Sequence, residues 1–484
     1  MRLQIILRYV AFALLLNALL MIISSIVSVL YSDSGFMPLL YSGLVTALFG
    51  IFPLIFIPPS TTISNKEGHM IVVGSWLLSC MVGMLPYIMW GGPFNLTNAW
   101  FESVSGFTTT GSTILANVEA LPHGLLFWRA STHWIGGIGI IIFVLSVLPF
   151  LGIAEIVLYR SEISSMATEN FQLRARNAIR ILTGVYGSLT LLEIILLILC
   201  GMNLFDAVTH SFATIATGGF STKNTSIAAF NSPVIEIVII IFMILSGIHF
   251  ATIFAVVQGR IRDFFNSTIV RYYLAALAIG TILAMFSIHG TVFSDWPKAL
   301  RYASFQIISV GTSTGFATTD SSVWPMFTHL IIVFFTLQCA CSGSTSGGIK
   351  TDRIILLAES FQKKIKRLMH PNAVIPMYLD KQLIRDNVVS NSMLYIVIYL
   401  VIVFISTMIL SGLGVDNLTA FSGTVAAIGN VGPGLGNVGS MANYNQLPEL
   451  GKWVLSLTML LGRLEVYAFF LMFTRAQWRR TVAY

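Results

Sequence analysis

Charged side chains are scarce in this sequence. Asp, Glu, Lys and Arg make up 10% of the 484 residues, while 56% are hydrophobic and the mean hydropathy is +0.83. Ordinary soluble domains carry about 25% charged residues. The composition excludes a soluble globular domain and predicts a chain that crosses a membrane many times.

Cysteine and catalytic motifs are also scarce. The four cysteines, Cys80, Cys200, Cys339 and Cys341, all fall within apolar runs, so we predict buried thiols and no disulfide. A membrane-embedded enzyme would need a clustered catalytic set such as H-E-x-x-H or paired aspartates inside an apolar run. Neither pattern occurs in the sequence, which leaves an enzyme as the weakest alternative.

Ten apolar runs are long enough to cross a bilayer, which takes about 20 residues per helix. They lie near 4–30, 36–60, 69–90, 124–150, 179–200, 233–257, 268–288, 324–342, 390–412 and 450–474. The first run follows Arg2 and Arg8 but is too long for the apolar core of a signal peptide. We therefore predict that it is kept as the first helix.

Lys and Arg concentrate on one side of this topology. Most of the 27 fall at the N-terminus or in the segments 61–68, 155–180, 258–271, 350–385 and 475–484. Cytoplasmic loops hold such residues preferentially. The pattern predicts a multi-pass protein with both termini in the cytoplasm. It also accounts for the net charge of +7, so no nucleic-acid partner is predicted.

Four stretches align without a gap, and each runs from an alanine to a glycine twelve residues later. They are Ala99 to Gly111, Ala207 to Gly219, Ala303 to Gly315 and Ala420 to Gly432. Each lies between two apolar runs and enters from the same, outer side. A helix, a short polar re-entrant segment and a second helix form the unit of a cation pore, and four units in one chain can close a ring.

Each stretch has two predicted parts. A short helix is expected over 99–108, 207–216, 303–312 and 420–429, with the negative end of its dipole toward the ion. The glycines then allow backbone angles that turn carbonyl oxygens toward a dehydrated cation. Polar side chains two residues before each glycine are expected to brace the turn: Thr109, Thr217, Ser313 and Asn430.

The predicted fold class is an all-α membrane protein built of four parallel helix–pore-loop–helix repeats with pseudo-fourfold symmetry, plus two extra N-terminal helices. The predicted divisions are 1–66 for the two N-terminal helices, then 67–165, 166–264, 265–385 and 386–484 for the repeats. Parallel repeats differ from the inverted repeats that are common in secondary transporters.

Two features interrupt the apolar runs. Gly343, Ser344, Thr345, Ser346, Gly347 and Gly348 break the eighth run. Irregular backbone at that depth must lie against protein or a wet cavity, so we expect it against the pore, below the third stretch; a helix break for packing is the alternative.

The second feature is Arg463, inside the last run, where an arginine costs at least about 2.5 kcal/mol unless it faces water or a partner. We expect Arg463 to hold the Gly/Ser segment or to place a positive barrier. An ion pair with Glu193 or Glu465 is the alternative.

Three further patterns are interpreted as structural. His133, His249 and His329 lie in apolar runs without metal-ligand spacing and are expected to be core residues with satisfied polar atoms. The sequence 434–439 matches G-x-G-x-x-G but lacks a surrounding βαβ unit. The sequence 343–351 approaches a phosphate loop but has an extra residue before its lysine. Nucleotide binding by this chain is therefore not predicted.

The four stretches, G-S-T-S-G-G-I-K-T-D-R at 343–353 and L-L-G-R-L-E-V-Y-A-F-F at 460–470 resemble the Trk/Ktr/HKT superfamily of potassium transporters, and its TrkH/TrkG branch most closely. The resemblance covers essentially the whole chain. It implies a potassium filter of carbonyls from Thr110, Gly111, Ser112, Gly218, Gly219, Phe220, Thr314, Gly315, Phe316, Val431, Gly432 and Pro433. It also implies a gating loop at 343–348 acting with Arg463.

The same resemblance implies potassium uptake across the bacterial inner (plasma) membrane, with K⁺ as the transported ion and no organic cofactor. It further implies a homodimer and a cytosolic nucleotide-binding regulatory subunit of the TrkA type, which would meet the basic segment 350–385; membrane lipids are the other expected contact of that segment. One glycine per repeat predicts weaker discrimination among cations than the T-V-G-Y-G filter provides. The main alternative is the potassium-translocating subunit of an ATP-driven pump.

Overall fold

A computed structural model describes residues 2–58, 65–147, 169–380, 382–466 and 469, and they are predominantly helical. The α-helices are α1 Leu3–Leu30, α2 Phe36–Phe56, α3 Asn65–Gly83, α4 Leu85–Trp90, α5 Leu96–Phe107, α6 His123–Val147, α7 Glu169–Leu199, α8 Leu204–Ile215, α9 Pro233–Ser246, α10 Phe250–Val257, α11 Ile261–Asn266, α12 Thr268–Ile288, α13 Trp296–Gly311, α14 Met326–Leu337, α15 Thr351–Met369, α16 Asp386–Gly412, α17 Asn417–Gly429 and α18 Glu449–Arg463. Three short 3₁₀ helices lie at Ser226–Phe230, Ser321–Val323 and Gly436–Val438.

Six apolar helices of the described chain are long enough to cross a membrane. They cover Leu3–Leu30, Phe36–Phe56, Lys66–Trp90, Ile179–Leu199, Thr268–Ile288 and Asp386–Gly412. Two other predicted spans are not continuous helices. The run 233–257 divides into α9 and α10, which meet at 106°, and the run 324–342 contains only the twelve-residue helix α14. The far ends of the runs 124–150 and 450–474 lie outside the described residues.

The short helices α5, α8, α13 and α17 correspond to the four aligned stretches. They begin three to seven residues earlier than predicted and end within one residue of the predicted positions. Three of them are N-capped by a side chain: Asn95 accepts from the Asn98 amide at 2.8 Å, Asn203 from the Asp206 amide at 2.8 Å, and Asp416 from the Thr419 amide at 3.0 Å. Such caps satisfy amides that a helix start leaves free.

Each short helix packs against helices that precede and follow it in the chain. The pair α5 and α6 packs with α3, α8 packs with α6 and α7, α13 packs with α12 and α14, and α17 packs with α16 and α18. The helices α1 and α2 form an antiparallel pair against α3 and α6. The boundaries of the four units stay a prediction, and residues 148–168 and most residues after 466 lie outside the described chain.

A small β-hairpin was not predicted. Strand β1, Met377–Leu379, pairs antiparallel with β2, Gln382–Ile384. Its turn residue Asp380 accepts from the Thr268 amide at 2.7 Å and from the Ser267 hydroxyl at 3.2 Å. The hairpin therefore caps the start of α12 and fastens the basic segment 350–385 to that helix.

Candidate ion-conducting site

The four aligned glycines share one backbone geometry. Gly111, Gly219, Gly315 and Gly432 have φ of 82°, 76°, 79° and 97°. The residues two positions earlier are also left-handed: Thr109, Thr217, Ser313 and Asn430 have φ of 52°, 54°, 58° and 51°. Residues other than Gly, Asn and Asp rarely adopt such angles. The same strained turn is therefore built four times, directly after each short helix.

The segments around these glycines touch one another in cyclic order. We call Thr110–Ser112, Gly218–Phe220, Thr314–Phe316 and Val431–Pro433 the first to fourth ring segments. A Cβ added to Gly111 would overlap the Gly218 carbonyl oxygen, one on Gly219 would overlap that of Thr314, and one on Gly315 that of Val431. A Cβ on Gly432 would lie 2.5 Å from the Thr110 oxygen, which closes the ring.

Backbone hydrogen bonds fix the carbonyls before each glycine. The amides of Thr110, Gly218, Thr314 and Val431 donate to the carbonyls of Ser105, Ala213, Ser309 and Ala426 in the preceding helix, at 2.9, 2.8, 2.8 and 2.9 Å. Each peptide thus continues from the C-terminal end of its helix, where the dipole is negative. Four backbone oxygens at adjacent segments are ligands of the kind that can coordinate a cation without any net charge.

The residues after the glycines are not equivalent. Ser112 donates to the Gly432 carbonyl at 3.1 Å, and Tyr444 donates to the same oxygen at 2.7 Å. In the third segment, the Phe316 carbonyl accepts from Ser309 at 2.6 Å. All three predicted residues of every ring segment lie in this ring, but its four sides are chemically different.

The Gly/Ser segment lies directly against the ring. The Gly347 amide donates to the Ser313 hydroxyl at 3.0 Å, and Thr345 donates to the Ile215 carbonyl at the end of α8 at 3.0 Å. A Cβ on Gly347 would crowd the carbonyl of Gly429 and the side chain of Asn430. The segment therefore touches the ends of three of the four short helices or their turns, as expected for a position beneath the ring.

Irregular backbone in the second unit supports this loop from the side. The Cys341 amide donates to the Gly247 carbonyl at 3.0 Å, and the Phe250 amide donates to the Gly343 carbonyl at 3.4 Å. Gly247 and Phe250 border the 106° bend between α9 and α10. Two non-helical stretches thus satisfy each other's polar groups, which is the condition for such backbone at membrane depth.

Arg463 holds the loop through its backbone. The side chain is 1% exposed, and it donates to the Thr345 carbonyl at 2.6 Å and to the Gly136 carbonyl of α6 at 3.1 Å. The geometry agrees with the expected contact to the loop. The alternative of an ion pair with Glu465 is wrong, because Glu465 pairs with Arg353 of α15.

Two charged groups beside the loop were missed from the sequence. Lys350 is buried and its ammonium donates to the Ser346 carbonyl. Arg353 lies 3.8 Å from the centre of the Tyr395 ring and is paired with Glu465. The signal was present, because both cations follow the loop closely inside an otherwise apolar region, where charged residues mark partners or ion paths.

The three histidines of the apolar runs have different environments. His329 contacts the Ser321 carbonyl at 3.0 Å, and His249 accepts from the Ala251 amide at 3.0 Å. His133 is fully buried, but neither ring nitrogen has a hydrogen-bond partner in the described part of the chain. The prediction of satisfied polar atoms is therefore wrong for His133. Its ring stacks on Phe220 of the second ring segment.

Comparison with known proteins identifies similar chains of full length. The sequence profile of the TrkH family, described as "Cation transport protein", matches residues 49–479. The chain is 36% identical to the Trk system potassium uptake protein TrkH of Escherichia coli (strain K12) over 424 residues, which are 86% of this chain and 87% of that protein. It is 33% identical to TrkH of Halomonas elongata over 489 residues, or 99% and 100% of the two chains.

A solved structure is similar over the same extent. The crystal structure of the potassium transporter TrkH from Vibrio parahaemolyticus matches with a TM-score of 0.90 and 30% identity. The match covers 99% of this chain and 100% of that one. The similarity thus includes the ring segments, the loop beneath them and the two N-terminal helices.

Proposed function

The chain belongs to the TrkH family of cation transport proteins, and on that premise we propose that it carries K⁺ through the ring formed by its four glycine-containing segments. Potassium uptake is the function of this multi-pass membrane protein, and K⁺ is the transported ion. The observation that carries the proposed route is the cyclic contact of each glycine with the carbonyl of the next segment.

The ring supplies what a dehydrated potassium ion needs. Backbone oxygens before Gly111, Gly219, Gly315 and Gly432 replace water ligands, and the ends of four short helices add negative potential. The twelve residues of the ring segments form the proposed filter, and discrimination arises from how firmly their carbonyls are held. With a single aligned glycine in each unit, we infer fewer binding sites in series than in a T-V-G-Y-G filter.

The loop at 343–348 is the proposed gate. Three observations support it: the loop lies against Ser313 of the ring turns, its peptide bonds are not helical, and the buried Arg463 holds its Thr345 carbonyl. A guanidinium beside the ion path also opposes cation passage electrostatically. Opening then requires the loop to leave these contacts. The same movement removes the steric barrier and separates the loop from the positive charge of Arg463.

The distribution of basic residues supports the proposed topology and the proposed regulatory partner. We propose that the basic segment 350–385 faces the cytoplasm of a bacterial cell, with both termini on that side of the inner membrane. A regulatory subunit of the TrkA type that binds this segment is near the proposed gate, because α15 lies within the segment and begins three residues after the loop. We also propose a homodimer, the division into four parallel units at residues 67, 166, 265 and 386, and transport without catalysis of any reaction.

Flux through purified protein tests the transport route. Liposomes that contain only this chain should take up ⁸⁶Rb⁺ or K⁺ down a K⁺ gradient, with and without opposing H⁺ or Na⁺ gradients. Uptake without ATP or another subunit separates this proposal from the pump subunit, which needs an ATPase partner. Absence of flux from folded protein under every gradient, together with flux after an ATPase subunit is added, would overturn the proposal.

A further inference from the structure

Two buried charges lie behind the first ring segment. Glu102 of α5 is 0% exposed and Arg129 of α6 is 2% exposed. The Arg129 Nε donates to Glu102 Oε1 at 2.8 Å, and Nη2 lies 2.7 Å from the same oxygen. A buried pair of this kind is costly to desolvate and is weak evidence for stability alone. The contacts of the two side chains show which parts of the chain the ion pair positions.

Glu102 holds the chain that leaves the first ring segment. Both carboxylate oxygens accept from the Thr113 hydroxyl, at 3.0 and 3.1 Å, and one accepts from the Ile114 amide at 3.1 Å. Thr113 directly follows Ser112 of the ring. The carboxylate thereby fixes the exit of the first segment to the helix that precedes it.

Arg129 extends this contact to the second ring segment. Its Nη1 donates to the Ser221 carbonyl at 3.2 Å, and its Cζ lies 3.9 Å from the centre of the Phe220 ring. His133, one helical turn further along α6, stacks on the same ring at 4.1 Å and 12°. Two groups that near to one ring centre occupy opposite faces, so α6 of the first unit clamps Phe220 of the second.

The clamp also abuts the ion-coordinating backbone. A Cβ on Gly218, whose carbonyl contacts Gly111, would overlap the His133 ring. His133 and the Gly218 peptide are therefore in direct contact, so a shift of His133 toward the ring displaces that peptide. This is the contact through which a group behind the ring reaches the carbonyls that face K⁺.

The equivalent position of the other three stretches carries no acidic residue. The residues three positions after the aligned alanines are His210, Gln306 and Gly423 where the first unit has Glu102. His210 contacts the Ser221 hydroxyl at 2.9 Å, so Ser221 is held by its carbonyl from the first unit and by its side chain from the second. The junction of the first two ring segments is therefore braced in a way that the repeat pattern does not require.

We propose that Glu102 and Arg129, with His133, are positioning residues that lock the first and second ring segments together and thereby set the preference for K⁺ over Na⁺. This inference rests on the proposed filter. Rigid spacing of the Gly111 and Gly218 carbonyls disfavours the smaller ion, because the oxygens cannot close around Na⁺. The pair carries no net charge, so its proposed role is to hold the two segments in place rather than to add charge beside the ion.

The test compares Glu102→Gln, Arg129→Gln and the double variant in liposome flux with K⁺ or Na⁺. Each single change removes charge-assisted hydrogen bonds to residues that directly follow a ring segment, and we expect the K⁺/Na⁺ flux ratio to fall by about threefold to tenfold. The double variant should stay low, because the geometry is lost although the net charge is restored. Recovery of the wild-type ratio in the double variant would overturn positioning.

A matched ion pair serves as the control. Arg301 of α13 donates to Glu236 of α9 through two bonds of 2.7 Å, and Arg301 lies ten residues before the end of its helix, about 15 Å along the axis. Glu236→Gln with Arg301→Gln should leave the ratio unchanged. An equal fall in this control would assign the effect to any lost ion pair and overturn the proposal.

Two further variants keep the test decisive. If the charge changes prevent folding, Thr113→Val keeps both charges and removes the hydroxyl that donates to Glu102 and accepts from Arg129 Nη2 at 3.3 Å and from the Leu115 amide at 3.1 Å. A smaller fall of the ratio is expected, and no fall in folded Thr113→Val overturns the clamp. Gly219→Ser in parallel separates the two proposals. If Gly219→Ser lowers the ratio and the clamp variants do not, the filter stands and the clamp is wrong, whereas no change in any variant contradicts both.

Discussion

The four ring glycines are required for two separate physical reasons. Their φ angles of 76° to 97° are unfavourable for residues with a Cβ, and at all four an added Cβ would lie 2.5 Å or less from a carbonyl oxygen of the next segment. The added atom would therefore displace the ligand of the ion itself. Selectivity is more sensitive to these positions than protein stability is, because the displaced group is a coordinating oxygen.

Substitution of Gly315 should lower selectivity most. Its Cβ would lie nearest to a backbone oxygen, that of Val431, and would also meet the Pro433 ring at 2.9 Å. We expect Gly315→Ser to raise Na⁺ flux relative to K⁺ by about tenfold, which corresponds to about 1.4 kcal/mol. Parallel flux measurements with the two ions in liposomes check the ratio.

Gly432→Ser is the matched comparison within the ring. Its contact with the Thr110 oxygen, at 2.5 Å, is the longest of the four, so a smaller change in the ratio is expected. An unchanged ratio in folded Gly315→Ser, or a larger change at Gly432 than at Gly315, would contradict the assignment of these carbonyls.

At the scale of elements, the short helices and their turns could be predicted because they repeat. Four copies of one pattern identified the helix ends to within a residue. The expected bracing side chains differ: Asn430 donates to the Thr110 hydroxyl and Ser313 accepts from the Gly347 amide. The Thr109 hydroxyl has no partner in the described part of the chain, and Thr217 donates only to the neighbouring Ala216 carbonyl, so the expectation is wrong for Thr109.

The bend between α9 and α10 could not be predicted from a repeated pattern. The run 233–257 is long enough for one span, and its bend is held by hydrogen bonds from the Cys341 amide to the Gly247 carbonyl and from the Phe250 amide to the Gly343 carbonyl. These bonds join positions that are distant in sequence.

Individual charges were predicted less well than helices. Arg463 was identified from its position in an apolar run, since burial of a lone guanidinium demands acceptors. The burial of Glu102 against Arg129 was not predicted from the sequence. Similarly, the partner of Glu465 is Arg353, more than a hundred residues away. Such pairs depend on which helices become neighbours, and a single sequence does not contain that information.

The proposed gate at 343–348 is held in place by contacts that can be removed singly. Arg463→Ala removes the bond to Thr345, and Ser313→Ala removes the acceptor of the Gly347 amide. A hydrogen bond to a charged group contributes about 1.5 to 3 kcal/mol and a neutral one about 1 kcal/mol. We expect higher unstimulated K⁺ flux in both variants, with the larger increase for Arg463→Ala, measured in liposomes without a regulatory subunit.

Thr217→Ala provides the control for the Ser313 change. Thr217 has the same left-handed backbone two residues before its glycine, but its hydroxyl donates to the carbonyl of Ala216 rather than touching the loop. Its unstimulated flux should match that of the wild type. Equal or lower flux in folded Arg463→Ala protein would remove the loop from the closed gate.

At the scale of the whole molecule, one chain supplies all four sides of the ring, and this permits asymmetry. A ring of identical subunits would repeat every substitution four times, whereas here the Gly/Ser break belongs to the third unit, Arg463 to the fourth, and the ion pair of Glu102 with Arg129 to the first. The gate and the brace can therefore differ around one axis. The repeated elements build the ring, and the unrepeated ones constrain it.

A ring closed within one chain predicts independent conduction by each copy, even in a homodimer. We propose mixing wild-type protein with an inactive variant, Gly219→Val, which places a branched side chain against the Thr314 carbonyl. If each copy holds its own pore, K⁺ flux falls in proportion to the wild-type fraction. A pore shared by two or four copies would fall with the square or fourth power of that fraction, because every mixed assembly would contain a blocked segment. As a control, the two variants carry different tags and are co-expressed, and their elution as one species ensures that mixed assemblies form. If K⁺ flux falls more steeply than the wild-type fraction, the pore is not closed by the contact between Gly432 and Thr110 of the same chain.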